Sequence, residues 1–176
     1  NDQHYEVPPA FFKLALGKRL KYSSALFAPG VTSLDAAEEA MLGLTCRRAR
    51  LEDGQDVLEL GCGWGSLSLF MAERFPNSRI TGVSNSGDQR GHIEEEARSR
   101  GLSNLRIVTA DMNVFDPGAT FDRIVSVEMF EHMRNWEALF ARVAAWMRPE
   151  ARLFLHVFAH RDAAYPFVPE GEADWM

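Results

Sequence analysis

Asp56–Leu60, a short apolar run, leads directly into Gly61-Cys62-Gly63-Trp64-Gly65, and Ser66–Phe75 then reads as a helix that stops at Pro76. No other feature restricts the fold as much as this strand–glycine–helix order. Glycines there permit a tight turn and let a ligand come close to the main chain. The N-terminus of the following helix offers free N–H groups to an anion.

The rest of the chain repeats the alternation. Arg79–Val83 reads as a second strand, Asp88–Arg100 as a charged helix ended by Gly101, and Leu105–Thr109 as a third strand. Arg123–Val127 reads as a fourth strand. Asn135 caps a helix whose Trp136, Leu139, Phe140, Val143 and Met147 form one apolar stripe, with Pro149 beyond its end, and Arg152–Phe158 is a fifth strand. Upstream, Ala10–Leu16 is a short helix ended by Gly17. Residues 22–31 are a loop with a Pro29-Gly30 turn, and Thr32 or Ser33 caps a helix reaching Arg48, with Asp35 and Glu38 in its first turn. The predicted fold class is α/β: a Rossmann-like, doubly wound, mostly parallel sheet with helices on both faces, preceded by an N-terminal helical segment. We expect one structural domain, with residues 1–50 as a helical cap segment and 51–176 as the core. Residues 159–176 carry no clear element, so the strands that normally complete such a sheet are expected to be missing. The first residue, Asn1, is not Met, which suggests a trimmed N-terminus.

The charge balance narrows the partners. A formal charge of -6 repels phosphate backbones, so nucleic acid is not an expected partner. The basic cluster Arg47-Arg48-Ala49-Arg50 follows a helix, where cations offset the dipole. Two cysteines, Cys46 and Cys62, make no disulfide framework and point to a reducing, cytoplasmic location. No apolar run approaches the roughly 20 residues that span a bilayer. His4, His92 and His160 show no metal-ligand spacing, and no metal is expected.

A glycine loop of this kind serves dinucleotides or S-adenosylmethionine, and three details favour the second. The glycines run Gly61-x-Gly63-x-Gly65, not G-x-G-x-x-G. Glu59, at the strand end, would repel a pyrophosphate but attract the α-ammonium of an amino acid. The second strand ends in Val83-Ser84-Asn85, where a dinucleotide fold usually has an acid for the ribose.

Glu59-Leu60-Gly61-Cys62-Gly63-Trp64-Gly65-Ser66 resembles motif I of class I S-adenosylmethionine-dependent methyltransferases. Its Gly-Cys-Gly-Trp-Gly core is similar to the cyclopropane-fatty-acid-synthase-like branch, which includes the coclaurine N-methyltransferases. Asn1–Pro8 with Phe11-Phe12, Lys21–Phe27, Gly82–Ser86 with Gln89, and Ser126–Met133 resemble further segments of that branch in the same order. The resemblance runs from residue 1 to about 160. It implies that Tyr22 and Ser23 contact the methionyl part of the cofactor, while Gly61 and Gly63 present backbone to it. Ser84, Asn85 and Gln89 would face the ribose. Asp111 would accept from the adenine amino group with Met112 beside the ring, and Val127 would offer backbone near the sulfonium. Other readings stay open: Asp111 could cap a turn at Asn113, Gln89 could be a solvated helix residue, and Tyr22 could be core. Cys62 reads as a packing residue, and Trp64 as packing on the loop.

Glu128, Glu131 and His132 follow the fourth strand, at the sheet edge where ligands bind in this architecture. Two carboxylates and an imidazole within five residues suit holding a cationic amine and taking its proton. The alternative is a charged helix start. By resemblance His132 is the preferred base, with Glu128 and Glu131 as binding carboxylates, and the predicted function is N-methylation of a small-molecule amine, releasing S-adenosylhomocysteine. A second reading is cyclopropane-fatty-acyl-phospholipid synthesis on a lipid alkene, in which Glu131 and His156 match positions that cradle bicarbonate. Glu128, usually glycine there, would repel that ion. His156 could equally be a satisfied buried histidine. A third reading is a cofactor-binding fragment without turnover.

Overall fold

The computed structural model describes residues 9–162. The segment Asn1–Pro8, part of the family resemblance, lies outside the described residues, as do residues 163–176. The elements in chain order are α1 (Pro9–Ala15), α2 (Leu34–Arg48), β1 (Asp56–Leu60), α3 (Ser66–Arg74), β2 (Arg79–Ser84), α4 (Gly87–Ser99), β3 (Leu105–Thr109), β4 (Phe121–Val127), a 3-10 turn (Phe130–His132), α5 (Trp136–Ala145) and β5 (Met147–His156).

The five strands form one sheet in the order β3-β2-β1-β4-β5, and every pairing is parallel. The expectation of a mostly parallel sheet is therefore met in its strictest form. After β3 the chain crosses to the other side of β1, so the strand order reverses between β1 and β4. The carboxyl ends of those two strands flank the crevice in which open α/β sheets bind ligands.

Each strand serves two cores by simple alternation. Val57, Ile80 and Val125 face α2 and α3 and pack with Leu42, Leu67, Phe70 and Met71. Leu58, Leu60, Val83 and Ile124 face the other way, onto Leu139, Val143 and Trp146 of α5 and its C-cap, with Phe130. Ile93 and Ala97 of α4 close over Leu69 and Ile107. Helices thus cover both faces, as predicted.

Local signals set most helix ends. Ser33 caps α2, its hydroxyl accepting from the Ala36 N–H at 3.3 Å. Asn135 caps α5 by accepting from Ala138 N–H at 2.9 Å. The largest departure from the sequence reading is β5, which starts five residues before the expected Arg152 and ends at His156 rather than Phe158. Met147 belongs to β5 rather than to the helical stripe, and Pro149 lies inside that strand. Pro149 falls where β5 has no register partner on β4, so no ladder hydrogen bond needs its missing N–H. The register slips between Phe121 and Arg123, where Glu150 takes a positive φ of 64°. This bulge absorbs the proline. Among the described residues no helix is long and apolar enough to cross a membrane.

Candidate active site

The glycine turn is built on backbone that other residues resist. Gly61 has φ 81°, and a Cβ there would lie 2.7 Å from Cβ of Met129. Gly65 has φ 81°, and its Cβ would meet Ile93 at 2.6 Å. Gly63, at φ 50°, has nothing within 4 Å of such a Cβ, so the middle of the turn faces open space. The Gly61 and Cys62 N–H groups both donate to the Val83 carbonyl, at 3.0 and 2.9 Å, which locks the turn to β2. Gly65 precedes α3 without a side-chain cap, and the buried hydroxyl of Ser66 has no partner. A cradle of this shape, with an uncapped helix start and an unused hydroxyl, fits an amino-acid carboxylate.

Glu59 lies beneath the turn. It shares the α3-facing side of β1 with Val57, is 3% exposed, and accepts a hydrogen bond from the Ser68 hydroxyl. Burial pushes its carboxyl up to about 7, against the opposing pull of Ser68 and Lys21. The buried Cys62 thiol is pushed well above its ordinary range, chiefly by burial. Cys62 is therefore packing rather than nucleophile. Trp64 is buried, its ring 5.1 Å from Phe12 of α1 and 5.5 Å from His92 of α4, so it is a packing residue, but against these helices rather than on the loop.

At the end of β2, Ser84 and Gln89 are both buried, and the Ser84 hydroxyl donates to Oε1 of Gln89 at 2.5 Å. The solvated reading of Gln89 is excluded. Asn85 is exposed beside them. Asp111 accepts from the Asn113 N–H at 2.8 Å and from its amide Nδ2 at 2.9 Å, so the turn-capping reading of Asp111 is realised in this loop. Met112 is half-buried against the α5-side core. Arg142 of α5 holds the same loop, donating to the carbonyls of Met112 at 2.6 Å, of Asn113 at 3.0 Å, and of Phe115.

Beyond β4, Val127 pairs with His156 and the Glu128 N–H donates to the His156 carbonyl at 2.7 Å. Glu128 adopts φ 53°, the left-handed region, where glycine is the ordinary occupant. Its Oε1 accepts from the Ser24 hydroxyl and lies 3.9 Å from Nε2 of His156. Burial pushes the Glu128 carboxyl up, but Ser24, Ser23, His156 and Lys21 outweigh it, and the group titrates below its ordinary range. Glu131 accepts from the Phe158 N–H at 2.8 Å through Oε1, while its Oε2 is buried without a partner. His132 is exposed. Glu131 and His132 lie in a 3-10 turn rather than a helix start, and Glu128 lies in the bend between β4 and that turn. Phe130, fully buried against Trp136 and Phe140, pins that turn, and Trp136 Nε1 donates to its carbonyl at 2.8 Å.

Tyr22 is 65% exposed, with one edge against Phe12, so the core reading of Tyr22 fails. The segment that carries it is fixed by Glu38, which is 0% exposed. Its carboxylate accepts from the N–H groups of Gly17, Arg19 and Lys21 at 3.0, 2.9 and 3.2 Å. Gly17 is needed there because a Cβ would sit 2.7 Å from both Asp35 and Glu38 oxygens. The sequence marks Glu38 only as a helix-start acid, and its anchoring role went unread. Lys21 and Ser24 were likewise missed, although both lie in the quoted Lys21–Phe27 segment. Lys21 is buried among Glu128, Glu59 and Glu38, and burial lowers its ammonium from the usual lysine range against their attraction.

A family model described as mycolic acid cyclopropane synthetase matches residues 1–174. The chain belongs to that family. This family member is 46% identical over 176 residues to (S)-coclaurine N-methyltransferase of Thalictrum flavum subsp. glaucum, covering 100% of the chain and 49% of the relative. It is 34% identical over 161 residues to cyclopropane-fatty-acyl-phospholipid synthase of Escherichia coli K12, covering 90% and 40%. Its fold superposes with a TM-score of 0.93 and 43% identity on coclaurine N-methyltransferase bound to N-methylheliamine and SAH, over 98% of this chain and 50% of that one. The chain spans about half the length of the curated relatives it matches.

Proposed function

We propose that this chain is the cofactor-binding part of an S-adenosylmethionine-dependent methyltransferase that N-methylates a small-molecule amine. One observation carries the choice of acceptor. Glu128 places a carboxylate at the carboxyl end of β4, on left-handed backbone, held by Ser24 and facing His156. Strained backbone at a ligand edge is retained where it serves a site. A carboxylate there attracts an ammonium and repels bicarbonate. The relatives support this reading: the one 46% identical is named for coclaurine N-methylation, and the cyclopropane-forming one is 34% identical.

The cofactor supplies a methyl carbon activated by its sulfonium. The chain's own residues hold it. Glu59 would receive the α-ammonium, and the α3 start with Ser66 the carboxylate. Gly61, Gly63, Tyr22, Ser23 and Val127 would border the methionyl part, Ser84, Asn85 and Gln89 the ribose, and Asp111 and Met112 the adenine. Glu128 and Glu131 would bind and orient the cationic amine, and His132 would take its proton so that a neutral nitrogen attacks. The two free cysteines favour a cytoplasmic location. We take residues 1–50 as a cap on the core in one domain.

The test uses the full-length protein with methyl-labelled cofactor, a panel of isoquinoline-type amines, and unsaturated phospholipid vesicles. Label in amine supports the reading. Label only in lipid reverses it in favour of cyclopropane synthesis with Glu131 and His156 around bicarbonate.

A further inference from the structure

Ser24 and Glu128 are 104 residues apart in sequence and joined by a hydrogen bond from the serine hydroxyl to the carboxylate. Both have left-handed backbone, with φ 58° at Ser24 and 53° at Glu128. An L side chain is disfavoured in this region, because its Cβ crowds the following carbonyl oxygen. Two such residues meeting side chain to side chain are held there by their surroundings. Those surroundings are on both sides. The serine's segment is tied down by the Lys21 N–H on Glu38 at 3.2 Å and by the Leu26 N–H on the Ala37 carbonyl at 3.0 Å. Glu128 is tied by its N–H to the His156 carbonyl at 2.7 Å.

The same carboxylate oxygen that accepts from Ser24 faces the His156 imidazole. With a donor on one side and an imidazole on the other, the side chain is confined to one orientation over the sheet edge. Without the hydroxyl, a half-buried glutamate on left-handed backbone is free to turn outward to water. Ser23 and Lys21, from the same segment, add to the field that keeps it ionised.

We infer that Ser24 is a positioning residue that holds the Glu128 carboxylate, between itself and His156, in the orientation that receives the acceptor amine. This deepens the amine-methylation reading and rests on it. Ser24 acts through Glu128 and does not touch the reacting atoms. It also joins the segment above the cofactor crevice to the acceptor side of the site.

The experiment compares Ser24→Ala, Ser24→Gly and Glu128→Gln in the full-length protein. Amine methylation is measured across pH with the best amine of the panel, and S-adenosylhomocysteine affinity is measured by calorimetry. Ser24→Gly removes the hydroxyl and relieves the backbone strain together, so a loss shared with Ser24→Ala belongs to the hydroxyl. The expected result is a fall of about tenfold in kcat/KM for both serine variants, the size of one hydrogen bond to an ion, mostly through KM. The acid limb of the pH profile moves to higher pH in both, because the ionised carboxylate has lost a donor. S-adenosylhomocysteine affinity stays unchanged. If Glu128→Gln is impaired but both serine variants keep the original KM and pH profile, the inference is overturned while the amine reading stands. A loss of S-adenosylhomocysteine affinity in both serine variants overturns it too, since the segment's fold would then be what Ser24 supports. Full amine methylation by Glu128→Gln removes the carboxylate's role, and the inference falls with it.

Discussion

The Ser68 hydroxyl donates to the Glu59 carboxylate inside the contact between β1 and α3, and both side chains are buried. The bond gives Glu59 one fixed partner but does not offset its burial, which leaves the carboxyl near 7. Glu59 therefore changes charge near neutrality. Because its folded pKa is raised, its contribution to stability is full at acid pH, below the ordinary carboxylate value. That contribution is lost as pH rises through about 7. If Glu59 receives the cofactor's α-ammonium, ligand affinity follows the opposite course, since an ammonium needs the ionised carboxylate. Calorimetry should show S-adenosylmethionine affinity rising with pH and levelling off above about 7. Glu59→Gln should abolish that rise and weaken binding at the plateau by on the order of tenfold. A pH-independent affinity in the unaltered protein would contradict this assignment.

Glu38 should behave as a structural anchor with a functional readout. Glu38→Ala strands the N–H groups of Gly17, Arg19 and Lys21 and is expected to cost about 3 kcal/mol by urea unfolding. Cofactor affinity should fall as well, because residues 21–24 lose their support. Unchanged affinity in folded Glu38→Ala would separate that segment from the cofactor.

Two glycines make a controlled contrast. Gly61→Ala forces a side chain into left-handed backbone and against Met129, next to Glu128, and should destabilise by about 2 kcal/mol. Cofactor binding should be lost with it. Gly91 lies within α4, with ordinary φ and nothing within 4 Å of an added Cβ. Gly91→Ala should stabilise by about 0.5–1 kcal/mol without changing binding. Thermal melts with and without S-adenosylhomocysteine measure both.

Arg142 is expected to matter to a loop it does not belong to. Arg142→Ala removes the clamp on the Met112, Asn113 and Phe115 carbonyls and should cost about 2 kcal/mol. If Asp111 and Met112 receive adenine, affinity for S-adenosylhomocysteine should drop more than affinity for methionine-like fragments. An equal drop for both would argue against that placement.

Much of this was legible along the chain. The strand β1 and the caps Ser33 and Asn135 follow from local apolar patterning and side-chain capping, which act within a few residues. The start of β5 was not legible. Pro149 reads as a helix terminator, and it is accepted within the strand because the register slip between Phe121 and Arg123 leaves it outside the ladder. Asp111 shows the reverse case: its turn bond to Asn113 joins residues two apart, so local sequence alone offers it, and it is present. Arg142 and Ser68 gave no signal, since helical arginines and serines are ordinary until a loop or a buried acid is placed against them.

By itself the sequence determined the alternation of strands and helices, the left-handed turn after β1, and the acids that follow β4. Spacing, glycine backbone freedom and side-chain type decide those matters locally. The tertiary structure alone decided which of these groups meet. The crossover from β3 to β4 sets the ends of β1 and β4 side by side, and the segment anchored on Glu38 brings Lys21 near Glu128 and bonds Ser24 to it across 104 residues. Whether a carboxylate is held, paired or left in water depends on such long-range neighbours. For that reason the place of Glu59 beside the glycine turn could be read from the chain, but its titration near neutrality and the confinement of Glu128 could not.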